Sequence, residues 1–221
     1  MEKQVDILII GAGISGIGVA AHLSKNSPQR QFEILERRES FGGTWDLFRY
    51  PGIRSDSDMS TFGFNFKPWR KANVLADGAS IKGYLGEVID EFKLKEKIHF
   101  GHRVLSANYD SSSKKWNVVV EDSNKKQQTW VANFVVGCTG YYNYDQGYAP
   151  TFPNQEAFKG QLIHPQHWPE NLDYTGKKVV IIGSGATAIT LVPAMSKGGA
   201  GHVTMLQRSP TYIASVPSID F

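Results

Sequence analysis

The sequence predicts an α/β protein in which one strand–turn–helix–strand pattern occurs twice. The first occurrence starts with the apolar residues 7–10, which are typical of a buried parallel strand, and continues through the glycine-rich residues 11–16 into a helix. The second occurrence starts at residues 177–182 and continues through the glycine-rich residues 183–188. This order of elements is typical of the Rossmann-like, three-layer module that binds dinucleotides. We therefore expect two such modules in series.

The composition narrows the class of protein. The 221 residues, 41% of them hydrophobic and 20% charged, suit a soluble globular protein of one large or two small domains. A net charge of +3 is too small to indicate a nucleic acid or an anionic membrane as partner. Neither a membrane-spanning run nor a signal peptide is recognisable. The single cysteine, Cys138, fits a reducing cytoplasm, and its apolar flanks predict a buried strand residue rather than a nucleophile.

The first glycine turn has the features that a dinucleotide requires. Gly11 permits the tight turn, Gly13 has no Cβ to block the approach of a pyrophosphate, and Gly16 lets the helix pack closely on the strand. The start of the helix offers free N–H groups to the phosphates. The second strand, residues 32–35, ends on Glu36, whose carboxylate can accept hydrogen bonds from ribose hydroxyls and would repel a 2′-phosphate. NADPH is therefore excluded here, and FAD or NAD is left.

The middle of the chain begins with an unusual loop at residues 42–58. Two adjacent glycines, a Pro-Gly turn and three aspartates favour a loop that approaches a ligand, although Trp45 and Tyr50 could instead simply pack on the core. A helix is expected from about Ser80 to Phe92, with Ser80 as its N-cap. The strands expected after it span residues 98–109, 115–121 and 130–136.

The second glycine turn differs from the first in the residues that follow its second strand. The turn is the GxGxxA variant formed by Gly183, Ser184, Gly185, Ala186, Thr187 and Ala188. Helix 189–196 and strand 202–206 follow, and the strand ends on Gln207 and Arg208 with no acid. An arginine at this position suits a 2′-phosphate, so the second site is predicted to bind NADPH.

The two turns predict the organisation of the chain. Residues 1–145 form the first module, for FAD or NAD, residues 146–175 a linker, and residues 176–221 the start of an NADPH-binding module. The scattered histidines show no metal-ligand spacing, and no metal site is predicted.

Two further motifs carry a resemblance to a known family. Residues 42–56 fit the pattern [A/G]GxWxxxx[F/Y]P[G/M]xxxD, and residues 158–169 fit FxGxxxHxxxW[P/D]. Both resemble the fingerprints of Baeyer–Villiger monooxygenases, which are class B flavoprotein monooxygenases, and the sequence looks most similar to their ethionamide-activating group. The related flavin-containing monooxygenases usually have Tyr or Phe at the position of Trp168. A disulfide reductase is disfavoured because Cys138 has no second cysteine for a CxxC motif.

The resemblance implies roles for individual residues. The implied FAD contacts are Ser15, Glu36, Thr44, Trp45, Asp46, Leu47, Asp56 and Val104. The implied NADP contacts are Arg54, Ser55, Asp56, Gly183, Ser184, Gly185, Ala186, Thr187, Ala188, Ile189, Gln207 and Arg208. Asp56 would be a catalytic carboxylate beside the flavin and the nicotinamide. His164 and Trp168 would belong to a gating linker that moves as the NADPH module rotates.

The resemblance also implies a reaction. NADPH reduces FAD, reduced flavin and O2 form a C4a-peroxyflavin, and this species converts a ketone to an ester or lactone, with sulfides as further substrates. Family members are considerably longer, so we expect the chain to be their N-terminal portion, with the catalytic arginine of the family beyond Phe221. The alternatives are a flavin-containing monooxygenase that acts on sulfur or nitrogen, and a non-catalytic dinucleotide-binding fragment.

Overall fold

The computed structural model describes residues 2–214, which fall into two compact units. The first unit contains the chain up to Asp46 and the segment from Lys82 to Tyr141. The second contains Leu47–Ile81 and, of the described residues, 142–214. The predicted end of the first cofactor-binding module at residue 145 and the predicted end of the linker at residue 175 stay predictions.

The described residues form eight β-strands and five α-helices. The strands are β1 (Glu2–Ile10), β2 (Phe32–Leu35), β3 (Ile98–His99), β4 (Arg103–Asp110), β5 (Lys115–Glu121), β6 (Gln127–Gly137), β7 (Lys178–Ile182) and β8 (His202–Leu206). The helices are α1 (Ile14–Asn26), α2 (Thr44–Leu47), α3 (Met59–Phe62), α4 (Gly78–Glu91) and α5 (Ala186–Lys197).

The first unit is built on a mixed sheet of six strands in the order β3-β2-β1-β6-β5-β4. Strand β1 pairs in parallel with both β2 and β6, whereas β5 pairs in antiparallel fashion with both β4 and β6. Ile10, the last residue of β1, lies opposite Leu35 of β2 and Gly137 of β6. The segments that follow these three strands therefore start at the same edge of the sheet, as in other parallel α/β folds.

The core of the first unit reflects the apolar character of its central strands. Leu8 and Leu35 pack in one cluster with Val118, Val120, Trp130 and Ala132, all of them buried. Ile9, on the other side of β1, is also buried. A parallel strand covered on both faces requires such a continuous apolar run, which explains why residues 7–10 show no alternation.

The second unit has a small parallel sheet of β7 and β8 with α5 packed on one face. Ile181, Leu191 and Met195 form its core together with Phe48 and Tyr50 from the loop that follows α2. Tyr50 therefore packs on the core, which is the simpler of the two interpretations that the sequence allowed for the loop at residues 42–58. The other face of the sheet leaves apolar side chains exposed, namely Val180, Ile182 and Leu206.

The predicted strand 98–109 is wrong, because it is two strands with a turn between them. Gly101 has a φ of +66°, a conformation that ends the extended chain. Strand β3 pairs in parallel with β2, whereas β4 pairs in antiparallel fashion with β5. The two halves of the predicted strand therefore lie at opposite edges of the sheet.

The predicted cap of α4 is wrong by three residues. The helix starts at Gly78, and Asp77 accepts hydrogen bonds from the Ser80 N–H and the Ser80 hydroxyl, both at 2.8 Å. An aspartate is as good an N-cap as a serine, and here it lies closer to the start of the helix. Ser80 is therefore in the first turn.

Cys138 follows β6 rather than lying within it, and it is half-buried. Its N–H donates to the Ile10 carbonyl at 2.8 Å, which extends the pairing of β1 and β6 by one residue. Burial raises the pKa of the Cys138 thiol, so the thiolate that a nucleophile needs is disfavoured.

Two kinds of feature are absent from residues 2–214. None of their helices is long and apolar enough to cross a membrane. No group of three or more His, Cys, Asp or Glu side chains among them is placed to hold a metal ion.

Candidate functional site

The first glycine turn leaves no room for larger residues at two positions. Gly11 has a φ of +107°, and a Cβ there would lie 2.4 Å from the carbonyl oxygen of Cys138. A Cβ at Gly16 would lie 1.8 Å from the carbonyl oxygen of Gly11. Glycine is therefore required at the turn by its backbone conformation, and in α1 by the close approach of the helix to the end of β1.

The start of α1 is open to a ligand. Gly13 is the N-cap residue and makes no side-chain capping hydrogen bond. A Cβ at Gly13 would meet only the backbone of Gly43, at an ordinary distance of 3.6 Å from its Cα. Ser15 is exposed in the first turn of the helix. The first N–H groups of a helix have no partner within the helix and attract anions, so this geometry fits a pyrophosphate.

Glu36 lies next to the first glycine turn and is only 5% exposed. Its Oε2 accepts a hydrogen bond from the Ala12 N–H at 2.8 Å, and its Oε1 accepts one from the Arg38 N–H at 2.9 Å. A carboxylate can accept about four hydrogen bonds, so two ribose hydroxyls could still bind. The acid that ends β2 therefore also holds the glycine turn.

The segment Thr44, Trp45, Asp46 and Leu47, predicted as part of a loop, forms the short helix α2. The preceding Gly42 donates its N–H to the Ala12 carbonyl at 3.0 Å, which ties this segment to the glycine turn.

Asp46 is buried in the first unit with two cations. Its Oδ2 lies 2.5 Å from Nη2 of Arg38, and its Oδ1 lies 2.6 Å from Nζ of Lys82. Burial alone would raise the pKa of Asp46, but the hydrogen bonds from Arg38 and Lys82 outweigh it and lower the pKa. Both carboxylate oxygens of this predicted FAD contact are therefore bound by protein side chains.

Val104 has its side chain in the core of the first unit. It lies opposite Val120, at a position where the pairing of β4 and β5 changes register before Ser106. Its side chain packs on the cluster that contains Leu8 and Trp130. A contact of Val104 with FAD stays a prediction. Because a valine side chain has no polar atom, any hydrogen bond to FAD would come from the Val104 backbone.

In the second unit, Arg54, Ser55 and Asp56 follow one another in an extended segment. Ser55 donates its N–H to the Ala76 carbonyl at 2.8 Å and is 2% exposed. Arg54 donates from Nη1 to the Ser55 carbonyl at 2.8 Å. The Ser55 hydroxyl is buried without a hydrogen-bond partner among residues 2–214, and the Asp56 side chain is exposed.

Gly52, in the first fingerprint, lies against α5. Its φ is +84°, and a Cβ there would lie 2.5 Å from the Thr190 carbonyl oxygen and 2.8 Å from the Ala194 Cβ. The sequence indicated a turn at Pro51 and Gly52 but contained no signal for this contact. The fingerprint is therefore partly a packing motif of the second unit.

The second glycine turn is more open than the first. Gly183 has a φ of +128°, and a Cβ there or at Gly185 would meet none of the described atoms within 4 Å. Gly185 is the N-cap residue of α5 and makes no side-chain capping hydrogen bond. Ala188 stands where the first turn has Gly16, and its methyl group is buried.

The polar residues of the second turn lie at the surface of the unit. Gln207 and Arg208, which follow β8, are exposed. The Ser184 hydroxyl donates to the Ser209 carbonyl at 3.1 Å and accepts a hydrogen bond from Thr211 at 2.9 Å. The exposed side chain of Arg208 can contact an anion in solution, whereas Ser184 already holds the segment that follows β8.

The predicted gating residues belong to the folded part of the second unit. His164 accepts a hydrogen bond at Nδ1 from the Gln166 N–H at 3.2 Å and caps a 3-10 turn. Its ring lies so close to Gly147 that a Cβ there would be 2.1 Å from Cε1. Gln166 is buried and donates from Nε2 to the Asn143 carbonyl at 2.6 Å, and Trp168 packs on the core of the unit. Gating stays a prediction.

The structure thus groups the predicted residues by unit. In the first unit, hydrogen bonds through Ala12 and Arg38 join Glu36 to Gly42 and Asp46, and Val104 is not among these residues. Arg38 and Lys82 also belong to this group, and sequence reasoning missed both. Their only sequence signal is charge, and Lys82 is 36 residues away from Asp46.

The sequence profile of the flavin-binding monooxygenase-like family (FMO-like) matches residues 2–218. The chain belongs to this family. The predicted recognition as a flavoprotein monooxygenase is confirmed.

Relatives with curated names agree with this assignment. The chain is 85% identical over 221 residues to the "Probable FAD-binding monooxygenase AlmA" of Acinetobacter sp and covers 44% of its length. It is 57% identical over 221 residues to the "FAD-containing monooxygenase EthA" of Mycolicibacterium smegmatis and again covers 44%. All of this chain is matched in both alignments, and it spans less than half the length of these relatives.

Solved structures confirm the predicted α/β fold class. Cyclohexanone monooxygenase from Rhodococcus sp. Phi1 bound to NADP+ matches 96% of this chain with a TM-score of 0.80 and 30% identity. An oxidized steroid monooxygenase bound to NADP matches 99% with a TM-score of 0.81 and 29% identity. The chain covers 39% and 41% of those two chains.

Proposed function

We propose that this protein acts as an NADPH- and O2-dependent flavoprotein monooxygenase that converts ketones to esters or lactones by Baeyer–Villiger oxidation, with sulfides as further substrates. The observation on which this rests is the pair of glycine turns, one followed by the acid Glu36 and the other by Arg208, in a member of the flavin-binding monooxygenase-like family. An acid directly after β2 and an arginine two residues after the end of β8 suit two different dinucleotides.

FAD is proposed to bind the first unit. The amide groups at the start of α1 would bind its pyrophosphate, since Gly13 leaves space there. Glu36 would accept hydrogen bonds from the adenosine ribose with the oxygen lone pairs that Ala12 and Arg38 leave free.

NADPH is proposed to bind the second unit. Its pyrophosphate would occupy the open space at Gly183 and Gly185, in front of the uncapped start of α5. The exposed guanidinium of Arg208 would bind the 2′-phosphate through charge-assisted hydrogen bonds. Asp56, whose carboxylate is exposed, would contact the reacting part of the cofactors.

Bound flavin, once reduced by NADPH, supplies the activation of O2. The chain's own residues bind and orient the two cofactors. The second fingerprint has Trp168 where flavin-containing monooxygenases usually have Tyr or Phe, and this supports the assignment to the ketone-oxidising group. The named solved structures, cyclohexanone monooxygenase and steroid monooxygenase, support the same assignment.

The first test is a visible absorption spectrum of the purified, desalted protein, in which bound flavin is expected. NADPH consumption is then measured with a cyclic ketone and with an aryl sulfide, and products are identified by mass spectrometry. Ester formation from the ketone is expected. Oxidation of the sulfide but of no ketone would indicate a flavin-containing monooxygenase, and flavin binding without any oxygenated product would indicate a dinucleotide-binding protein.

A matched pair of variants separates the two sites. Arg208→Gln is expected to raise the KM for NADPH about 10-fold or more while the KM for NADH changes little, because only NADPH has the 2′-phosphate. Lys178→Gln, at the exposed start of β7, is the control for the loss of one positive charge from the same sheet. An equal effect of Arg208→Gln on both cofactors would contradict the proposed role of this arginine.

A further inference from the structure

Glu36 and Asp46 are joined through a single residue, Arg38. The Arg38 backbone N–H donates to Glu36 Oε1 at 2.9 Å, and its guanidinium Nη2 donates to Asp46 Oδ2 at 2.5 Å. The other oxygen of Glu36 accepts the Ala12 N–H of the glycine turn at 2.8 Å. A movement of Arg38 would therefore be transmitted to both carboxylates.

These hydrogen bonds form a closed network. The Asp46 N–H donates to the Gly43 carbonyl at 3.1 Å, and the Gly42 N–H donates to the Ala12 carbonyl at 3.0 Å. We call this closed set the carboxylate network; it consists of Ala12, Glu36, Arg38, Gly42, Gly43 and Asp46. It joins the glycine turn, the end of β2 and the start of α2. Lys82 of α4 ties the network to a long helix by donating from Nζ to Asp46 Oδ1 at 2.6 Å.

Burial and charge indicate that Asp46 holds other residues in place. It is only 3% exposed, and its two oxygens are bound by Arg38 and Lys82. Glu36 is nearly as buried, and the two cations both pair with Asp46, Arg38 from within the carboxylate network and Lys82 from outside it. Removal of either cation would leave one oxygen of the buried Asp46 carboxylate without its charged partner, so this arrangement resists change.

We propose, on the basis of the FAD site proposed above, that Arg38, Asp46 and Lys82 are positioning residues for that site. They fix the Glu36 carboxylate and the Ala12 turn in the geometry that receives the adenosine part of FAD. A carboxylate already fixed in its binding rotamer loses little conformational entropy when ribose binds, which raises affinity. Asp46 thus acts on FAD through Arg38 rather than by direct contact.

The experiment is a double-mutant cycle on FAD affinity. Deflavinated protein is titrated with FAD, and also with ADP, which contains only the adenosine side of the cofactor. Asp46→Asn and Arg38→Met are each expected to raise both Kd values about 10-fold, the size of a lost charged hydrogen bond. The double variant is expected to be no worse than either single variant, because both remove the same connection. Lys82→Arg is expected to keep the affinity that Lys82→Met loses.

Asp6→Asn is the matched control. Asp6 is also a carboxylate held by an arginine, with Oδ2 3.0 Å from Nη1 of Arg30 and Oδ1 2.7 Å from Nδ2 of Asn133, but it lies within β1 and away from the glycine turn. Its loss is expected to lower Tm and leave the Kd for FAD unchanged. If Arg38→Met does not fold, Arg38→Gln, which also removes the charge and keeps the backbone donor, takes its place in the cycle.

The outcomes are distinguishable. Unchanged Kd values in Asp46→Asn and Arg38→Met would overturn the positioning role while the FAD site stands. Additive losses in the double variant would also overturn it, because they would indicate that Asp46 contacts FAD independently of Arg38. A wild-type protein that binds neither FAD nor ADP would contradict the proposed function itself, and the positioning role with it.

Discussion

The two glycine turns have nearly the same backbone but different surroundings. Gly11 and Gly183 have φ angles of +107° and +128°, and the N-cap residues Gly13 and Gly185 have φ, ψ pairs of −80°, −172° and −76°, −179°. The first turn is nevertheless crowded, since a Cβ at Gly11 would collide with the carbonyl of Cys138, whereas a Cβ at Gly183 would meet nothing within 4 Å among the described atoms.

The difference comes from the neighbouring strands. The first turn follows a strand paired on both sides, and β6 brings the Cys138 carbonyl up to it. The second follows β7, which among the described strands pairs only with β8. The same local sequence pattern thus gives the same turn, while the tertiary context decides which substitutions the turn tolerates.

The largest expected difference in the cost of a substitution concerns the third small residue of each glycine pattern, which is Gly16 in the first turn and Ala188 in the second. Gly16→Ala would place a Cβ 1.8 Å from the Gly11 carbonyl oxygen, so α1 must move away from β1 at a cost of about 3 kcal/mol or more. The reciprocal Ala188→Gly removes only a methyl group and adds backbone freedom, at a cost of about 1 kcal/mol. Amide hydrogen exchange of peptides from β1 measures the loss of unfolding free energy in the first structural unit, and exchange of peptides from β7 measures it in the second. Equal losses would contradict the difference in crowding.

A smaller difference is expected at the first glycine of each pattern. Gly183→Ala has only the strain of a positive φ, about 1 kcal/mol or slightly more. Gly11→Ala has the same strain and a contact of 2.4 Å with the Cys138 carbonyl oxygen, so we expect it to cost about 2 kcal/mol more than Gly183→Ala. Urea unfolding of the two variants, followed by the same exchange measurement, tests this order. A larger loss for Gly183→Ala would show that the second turn is the more constrained one.

The carboxylate network is expected to make the stability of the first turn depend on acid pH. The pKa of Asp46 is lowered in the folded protein, so its stabilisation is complete above the unfolded value of about 3.9 and is lost as pH falls toward the folded value. Between pH 6 and 3.5 we expect protection of β1 to fall by on the order of 1 kcal/mol more in wild type than in Asp46→Asn. An identical pH dependence in the two proteins would indicate that Asp46 titrates normally. The pKa of the wild-type Asp6 carboxyl is also lowered. The Asp6→Asn variant therefore measures the contribution of a comparable group outside the carboxylate network.

The sequence predicted those features that depend on neighbouring residues. Both glycine turns and the strand ends at Glu36 and Gln207 were predictable, because the turn, helix start and strand end are set within a short stretch of chain. The pairing of Asp46 with Lys82 was not, since it depends on where α4 packs and no periodicity encodes it. The split of residues 98–109 was missed for a related reason: both halves have strand-like residues, and only the pairing partners differ.

The smallest expected difference concerns the middle position, where the first turn has Ala12 and the second has Ser184. Ala12 is fully buried, so Ala12→Ser would bury a hydroxyl beside the Glu36 carboxylate at a cost of about 1 kcal/mol if it finds no acceptor. Ser184→Ala removes the hydrogen bonds to Ser209 and Thr211 at the surface, and we expect less than about 0.5 kcal/mol. Thermal unfolding with hydrogen exchange resolves both. If Ala12→Ser instead stabilises β1, its hydroxyl has joined the carboxylate network as a donor to Glu36, and the first turn is less tightly closed than its glycines indicate.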